Sequence, residues 1–226
     1  MRHFVIGDIH GCYNSLRSLI KSIDIRKNDT IITLGDYIDR GPDSRKVIDY
    51  LIKLKKECRV ITLKGNHEQM MEYARHSTED LEFWLQYGGT QTLQSMGINS
   101  IEDVPEKYWE FIRNCYHYYE TDSHIFVHAG VHSERVMDYQ HTNYLFWQRL
   151  RDSKPHISGK IVICGHSPQE SGLPIDLGYS IGIDTFAFDG KWLTCLDPDS
   201  REYWQANEKG ETRKGHLDHL SQKKVI

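Results

Sequence analysis

Five segments of the chain set carboxylates, imidazoles or an amide beside glycine. They are Gly7-Asp8-Ile9-His10-Gly11, Gly35-Asp36-Tyr37-Ile38-Asp39-Arg40-Gly41, Gly65-Asn66-His67-Glu68, His128-Ala129-Gly130 and Gly165-His166. Asp8, His10, Asp36, Asn66, His128 and His166 make a mixed oxygen and nitrogen donor set. Such a set suits manganese, iron or zinc better than calcium or magnesium, which favour all-oxygen cages. Six donors exceed what one tetrahedral ion needs. They fit two ions sharing a bridging carboxylate, the arrangement used for in-line displacement at phosphorus. Arg40 can then clamp phosphate oxygens in a bidentate way. His67, beside Asn66, can protonate a leaving group. Asp39 can orient that imidazole and raise its pKa, keeping it charged near neutrality.

These residues need elements that carry them to one place. Each motif follows a short apolar run: Phe4-Val5-Ile6, Ile31-Ile32-Thr33-Leu34, Val60-Ile61-Thr62-Leu63, Ile125-Phe126-Val127 and Ile161-Val162-Ile163-Cys164. Continuous β-branched and aromatic runs of this length read as strands buried on both faces. Between the first three runs, Leu16, Leu19, Ile20 and Ile23, then Val47, Ile48, Leu51 and Leu54, recur at helical spacing. Pro42 is expected in the first turn of the second helix. Asp8 to Asp36 is 28 residues and Asp36 to Asn66 is 30, about one βαβ unit each. Right-handed crossovers make these strands parallel. Ligands in such sheets bind beyond the carboxyl ends of the strands, so the motifs should share one edge.

The five motifs, in this order, resemble the signature set of calcineurin-like metallophosphoesterases. More narrowly, they resemble the phosphoprotein phosphatase family, including its compact bacterial and bacteriophage Ser/Thr phosphatases. The resemblance spans residues 7 to 166. It implies that Asp8 and His10 bind a first metal, that Asp36 bridges, and that Asn66, His128 and His166 bind the second. It implies His67 as general acid with Asp39 as its partner, and Arg40 and Asn66 on the phosphate. A second phosphate arginine is expected after the fourth motif, and the context Phe146-Trp147-Gln148-Arg149 selects Arg149, with Arg151 as rival. Two departures stand out. Lys64 occupies the place of a usual arginine, so a point charge replaces a planar fork. The Tyr-Cys loop of the eukaryotic enzymes is missing after His166.

The remaining chain sets the frame. With 226 residues it can bury a full core without staples. The balance of 28 basic to 32 acidic residues argues against nucleic-acid or membrane partners. Five cysteines without a C-x-x-C pair indicate a reducing compartment. No apolar run reaches membrane length and the N-terminus leads straight into a strand, so a cytoplasmic location is expected. Oligomeric state is left open.

Helices are expected from Glu79 to Tyr87 and from Pro105 to Cys115, with Gly88-Gly89 as a break. These belong to a cap-like insert over residues 70–120. Its aromatics are read mainly as core, and the resemblance favours Tyr87 to Thr90 for a groove lining. Asp189-Gly190 is expected to mark a hairpin in a second sheet. Residues 207–226 are read as a charged, mobile tail after a single domain of residues 1–206. The expected fold class is α/β, with two mixed β-sheets packed as a sandwich and flanked by helices in the four-layer metallophosphoesterase manner.

The expected activity is two-metal hydrolysis of phosphoserine and phosphothreonine in proteins, by in-line attack of a metal-bridging hydroxide. Manganese is favoured, with iron or zinc as alternatives. The runner-up is hydrolysis of small phosphate compounds such as dinucleoside tetraphosphates, whose hydrolases typically lack the Asp that this chain has at 39. An inactive phosphoprotein-binding module is a minor third reading.

Overall fold

The computed structural model describes residues 2–220. Strand β1 (His3–Ile6), helix α1 (Tyr13–Ser22), strand β2 (Thr30–Thr33), helix α2 (Ser44–Glu57) and strand β3 (Arg59–Thr62) open the chain. β1, β2 and β3 pair in parallel, as the spacing predicts. Helices α3 (Asn66–Tyr73), α4 (Thr78–Trp84), α5 (Thr90–Met96) and α6 (Glu106–Arg113) follow. The break expected at Gly88-Gly89 is a kink, with Gly88 at φ 119°. Strands β4 (Tyr118–Glu120) and β5 (His124–Val127), helix α7 (Thr142–Trp147) and strand β6 (Ile161–Cys164) come next. Strands β7 (Ile175–Asp176), β8 (Ser180–Gly182), β9 (Leu193–Leu196), β10 (Glu202–Ala206) and β11 (Thr212–His216) complete the order.

The strands form two mixed sheets, ordered β11-β10-β9-β1-β2-β3 and β4-β5-β6-β8-β7. Side chains alternate across a strand, and this alternation builds the layers. In β1, Phe4 and Ile6 join a core with Leu16, Leu19, Val47 and Leu51 of the covering helices. Val5, between them, faces the other way. It packs with Ile32, Phe126, Ile163 and Ile181, a seam that draws on both sheets. In the second sheet Ile125, Val127, Val162 and Cys164 pack against Leu145 and Phe146 of α7. The result is a helix–sheet–sheet–helix sandwich. No helix among the described residues is long and apolar enough to cross a membrane.

Four sequence expectations change. Pro42 precedes the second helix, which starts at Ser44 after an Asp43 cap position. Asp189-Gly190 closes no hairpin. It lies in a turn that carries the chain from β8 in one sheet to β9 in the other. β9 pairs antiparallel with β1, and β10 antiparallel with β9, so both extend the first sheet. The expected tail is ordered as far as residue 220. β11 pairs with β10 over five residues, from Glu202–His216 to Ala206–Thr212. Thr-Arg-Lys-Gly-His carries no apolar alternation, because an edge strand needs only backbone partners on one side. Residues 221–226 of that tail lie outside the described residues. The insert's aromatics divide: Trp84, Tyr108, Trp109 and Phe111 are core, whereas Phe83 and Tyr87 are exposed.

Candidate active site

The loops after β1, β2, β3, β5, β6 and β8 meet along one edge of the sandwich. Their backbones are forced into unusual conformations. Among the described residues seven non-glycine positions have positive φ, and five of them are His10, Asp36, Asp39, Arg40 and His166. Each left-handed residue costs about 1–2 kcal/mol. Strain of this kind persists where surrounding structure holds it, commonly at functional sites. Two glycines permit the crowding. A Cβ on Gly165 would collide with Asp8 Oδ1, and one on Gly65 with Asp36 Oδ1.

All six expected metal ligands converge, and none is more than 9% exposed. Asp36 lies between two groups: its Oδ2 is 3.4 Å from His10 Nε2, and its Oδ1 is 3.5 Å from His128 Nε2. Asp8 joins Asp36 and His128 in a set whose ligand atoms all lie within 4.8 Å of one another. Asn66 Oδ1 is 2.8 Å from His128 Nε2 and 2.9 Å from His166 Nδ1. Carbonyl oxygens fix two of the rings. His10 Nδ1 lies 2.9 Å from the Ile38 carbonyl and His128 Nδ1 2.9 Å from that of Leu34. Both rings then donate through Nδ1 and turn a lone pair on Nε2 inward, the usual support for a metal-binding histidine.

The residues present fit a pair of cations. Asp8 Oδ1 and His166 Nε2 are buried without a hydrogen-bond partner. Burial lowers His128 to about 3 and His166 to about 2, and holds His10 well below its ordinary value. These imidazoles are neutral, the form that ligates. Burial raises Asp8 well up, aided by the charges of Asp184 and Asp36, and burial also raises Asp36. Crowded carboxylates beside neutral imidazoles are short of positive charge.

His67 and Asp39 form a buried pair, with Nδ1 2.7 Å from Asp39 Oδ2. The Trp84 indole N–H donates to both oxygens of Asp39, at 3.1 and 3.0 Å, and the Thr92 hydroxyl donates to Oδ1 at 2.6 Å. The expected rise in the His67 pKa does not appear. Burial lowers it to about 4, and burial raises Asp39 well up, so desolvation outweighs the charge of the partner. His67 also belongs to a second three-residue set with His10 and Asp36.

Arg40 reaches the same edge, 3.4 Å from His10 Nε2 and over the Phe188 ring at 4.7 Å. Arg149 donates to the His166 carbonyl at 3.2 Å. Arg151 points away and is 70% exposed beside Asp152, so Arg149 is the arginine brought to the site. Lys64 takes no place there, because its ammonium lies 2.8 Å from both oxygens of Glu72. Within the favoured groove lining, Gly88 packs against the backbone of Arg40.

Two residues at the site escaped the sequence reading. Asp184, 3% exposed, follows β8. Burial raises it to about 7. Its signal was present, since Ile181-Gly182-Ile183-Asp184 repeats the strand-then-acid order of the other motifs. Glu68 had no assigned task. It accepts the backbone N–H groups of Asp36 and Tyr37 at 2.8 Å each and of Gly65 at 2.9 Å, tying the second loop to the third.

A two-sheet sandwich whose loops bring together six oxygen and nitrogen donors and two arginines has the architecture of the metallophosphoesterase class. The chain belongs to the calcineurin-like phosphoesterase family, whose sequence model matches residues 1–191. It is 49% identical over 69 residues to the symmetrical bis(5'-nucleosyl)-tetraphosphatase of Wigglesworthia glossinidia brevipalpis, covering 30% of this chain and 25% of that protein. It is 39% identical over 90 residues to serine/threonine-protein phosphatase 1 of Salmonella typhimurium, covering 39% of each. These two matches thus span well under half of either relative. The asymmetrical bis(5'-nucleosyl)-tetraphosphatase PrpE of Oceanobacillus iheyensis is 25% identical over 229 residues, covering 90% of this chain and 91% of that protein.

Proposed function

We propose that this chain is a phosphomonoesterase that removes phosphate from phosphoserine and phosphothreonine in proteins, with two manganese ions as cofactors. One observation carries the reading: the His67–Asp39 pair at 2.7 Å, itself held by Trp84 and Thr92. A serine or threonine alkoxide is a poor leaving group and needs a proton, whereas a nucleoside diphosphate leaves without one. A buried, oriented imidazole is the group that can deliver it.

Asp8, His10 and Asp36 would hold one ion, and Asp36, Asn66, His128 and His166 the other. The ions would supply Lewis-acid charge and lower the pKa of the attacking water. Arg40 and Arg149 hold the phosphate oxygens and orient the ester for in-line displacement. Burial lowers His67 in the free chain, and the negative charge of a bound phosphate ester would offset this and favour the imidazolium. In that form Nε2 gives its proton to the departing oxygen while Asp39 fixes the ring through Nδ1. Asp36 stays in place because Glu68 pins its backbone N–H. The five free cysteines suit work in the cytoplasm.

A second reading has its own support. The relative matched over nine-tenths of its length is a bis(5'-nucleosyl)-tetraphosphatase, so dinucleoside tetraphosphates are the alternative substrate. Assaying phosphoserine peptides and diadenosine tetraphosphate on one manganese-loaded preparation decides between them. Turnover of the peptide at the higher kcat/KM is expected. Turnover of the dinucleotide alone would remove the protein-phosphatase reading.

A further inference from the structure

The chain strains one more residue at this edge, and it has no role in the chemistry above. Phe186 has φ 65° and ψ 44°. Among the described residues it is one of only two non-glycine positions with positive φ outside the candidate site residues. The other, Arg201, is explained locally: it turns the chain between β9 and β10 and pairs with Asp176 and Asp218. Phe186 is held by its backbone: its N–H donates to Asp184 Oδ1 at 3.1 Å, while its side chain has no ion pair. A bulky side chain in the left-handed region is an outlier that its surroundings must hold in place.

The ring of Phe186 leads into the site. Its centroid lies 5.0 Å from that of Phe188 at 87°, and Phe188 lies 5.0 Å from the His10 ring at 84°. The Arg40 guanidinium sits over the Phe188 face at 4.7 Å, and Lys191 lies over Phe186 at 5.2 Å. Both rings are only partly buried. They form a short edge-to-face pair, with Phe188 beside Arg40 and His10 and Phe186 one ring further away.

We propose that Phe186 and Phe188 form a stacking platform for the base of a nucleotide whose phosphate lies at Arg40. The proposal rests on the nucleotide reading and deepens it. A planar ring joined to phosphate through a single ribose falls within reach of such a pair. An aromatic residue in a peptide is joined to the phosphorylated one through flexible backbone, and nothing fixes its distance. Aromatic rings stack on any base, so the platform favours nucleotides without selecting among bases.

The test uses the methylenephosphonate analogues of AMP and of ribose 5-phosphate, which resist hydrolysis and differ only in the base. Each is titrated calorimetrically into the manganese-loaded full chain. The AMP analogue is expected to bind about tenfold more tightly, the size of one base–aromatic stack. In Phe186→Gly the preference should fall to about twofold. Glycine takes the positive φ without strain, so the thermal midpoint should hold or rise. Phe186→Tyr should retain the preference.

Equal binding of the two analogues to the wild-type chain overturns the platform and leaves the phosphoester chemistry standing. Binding of neither overturns the phosphate site itself, and the platform with it. An equal loss for both analogues in Phe186→Gly shows that the ring only props His10 and Arg40, and overturns the proposal. A phosphoserine peptide with a flanking tyrosine that alone loses affinity in Phe186→Gly would assign the rings to peptide and also overturn it.

Discussion

Nδ1 of His67 lies 2.7 Å from Oδ2 of Asp39, and neither side chain is more than 1% exposed. The pair is built from two loops of one sheet, yet what holds it comes from the helices beyond. Trp84 and Thr92 reach Asp39 from 45 and 53 residues away and belong to no motif. Residues 70–120 therefore supply part of the support for the His67–Asp39 pair as well as core.

Replacing His67 by Asn should lower kcat on a phosphoserine peptide about a thousandfold, within the range of general acid catalysis. The loss on p-nitrophenyl phosphate should be about tenfold at most, because nitrophenolate leaves unaided. Steady-state assays on both substrates measure the difference. Equal losses would remove the acid role.

Trp84→Phe keeps an aromatic in the core and deletes the indole N–H that holds Asp39. Losing a donor to a buried carboxylate should destabilise the protein by about 1–3 kcal/mol. As a positioning residue, Trp84 should lower kcat on the alkyl ester about tenfold, equivalent to about 1.4 kcal/mol. KM and the p-nitrophenyl rate should change little. A uniform fall on both substrates would mark a merely structural role.

Gly165→Ala should push Asp8 out of place, since the added methyl meets its Oδ1. Overpacking of this kind costs about 1–3 kcal/mol. Metal analysis of manganese-saturated protein should give two ions per chain for the wild type and fewer for the variant. Chelation should abolish turnover and manganese should restore it. Manganese at a hundred times its Kd should stabilise the wild type by about 2.7 kcal/mol.

Acid should weaken the fold through its buried histidines. Burial holds His128 at about 3, below the value of about 6.5 in an unfolded chain. The unfolded chain therefore binds the extra proton between these values. The stability that comes from keeping His128 neutral is complete above pH 6.5 and is lost as pH falls toward 3. Each pH step in that window costs about 1.4 kcal/mol for this histidine. Urea unfolding at pH 7.5 and 5.5, with chelator present, measures it. His128→Asn should lose less on acidification than the wild type; identical losses would exclude His128 as the source.

Much of the site was legible locally. Asp8, Asp36 and Asn66 follow parallel strands because βαβ spacing and a strand-ending glycine are signals carried by neighbouring residues. Asp184 carried the same signal but stood in a stretch read as hairpins. β11 was read as tail because its residues alternate nothing, and an edge strand is defined by its partner. Arg149 and Arg151 differ by two positions in sequence, and only the path of the chain after α7 turns one toward His166 and the other to solvent.

The sequence by itself determined which residues stand at strand ends, and so which donor, arginine and histidine types the edge carries. Tertiary structure alone decided that they form one centre. His166 meets Asn66 across 100 residues and between two sheets. That contact depends on the seam in which Val5, Ile32, Phe126 and Ile163 interlock. Packing of the two inner faces sets the offset between the sheets, and with it whether His128 and His166 reach Asp36 and Asn66. It also reversed one expectation: the depth of burial, which no spacing reveals, lowers His67 where a carboxylate partner alone would have raised it.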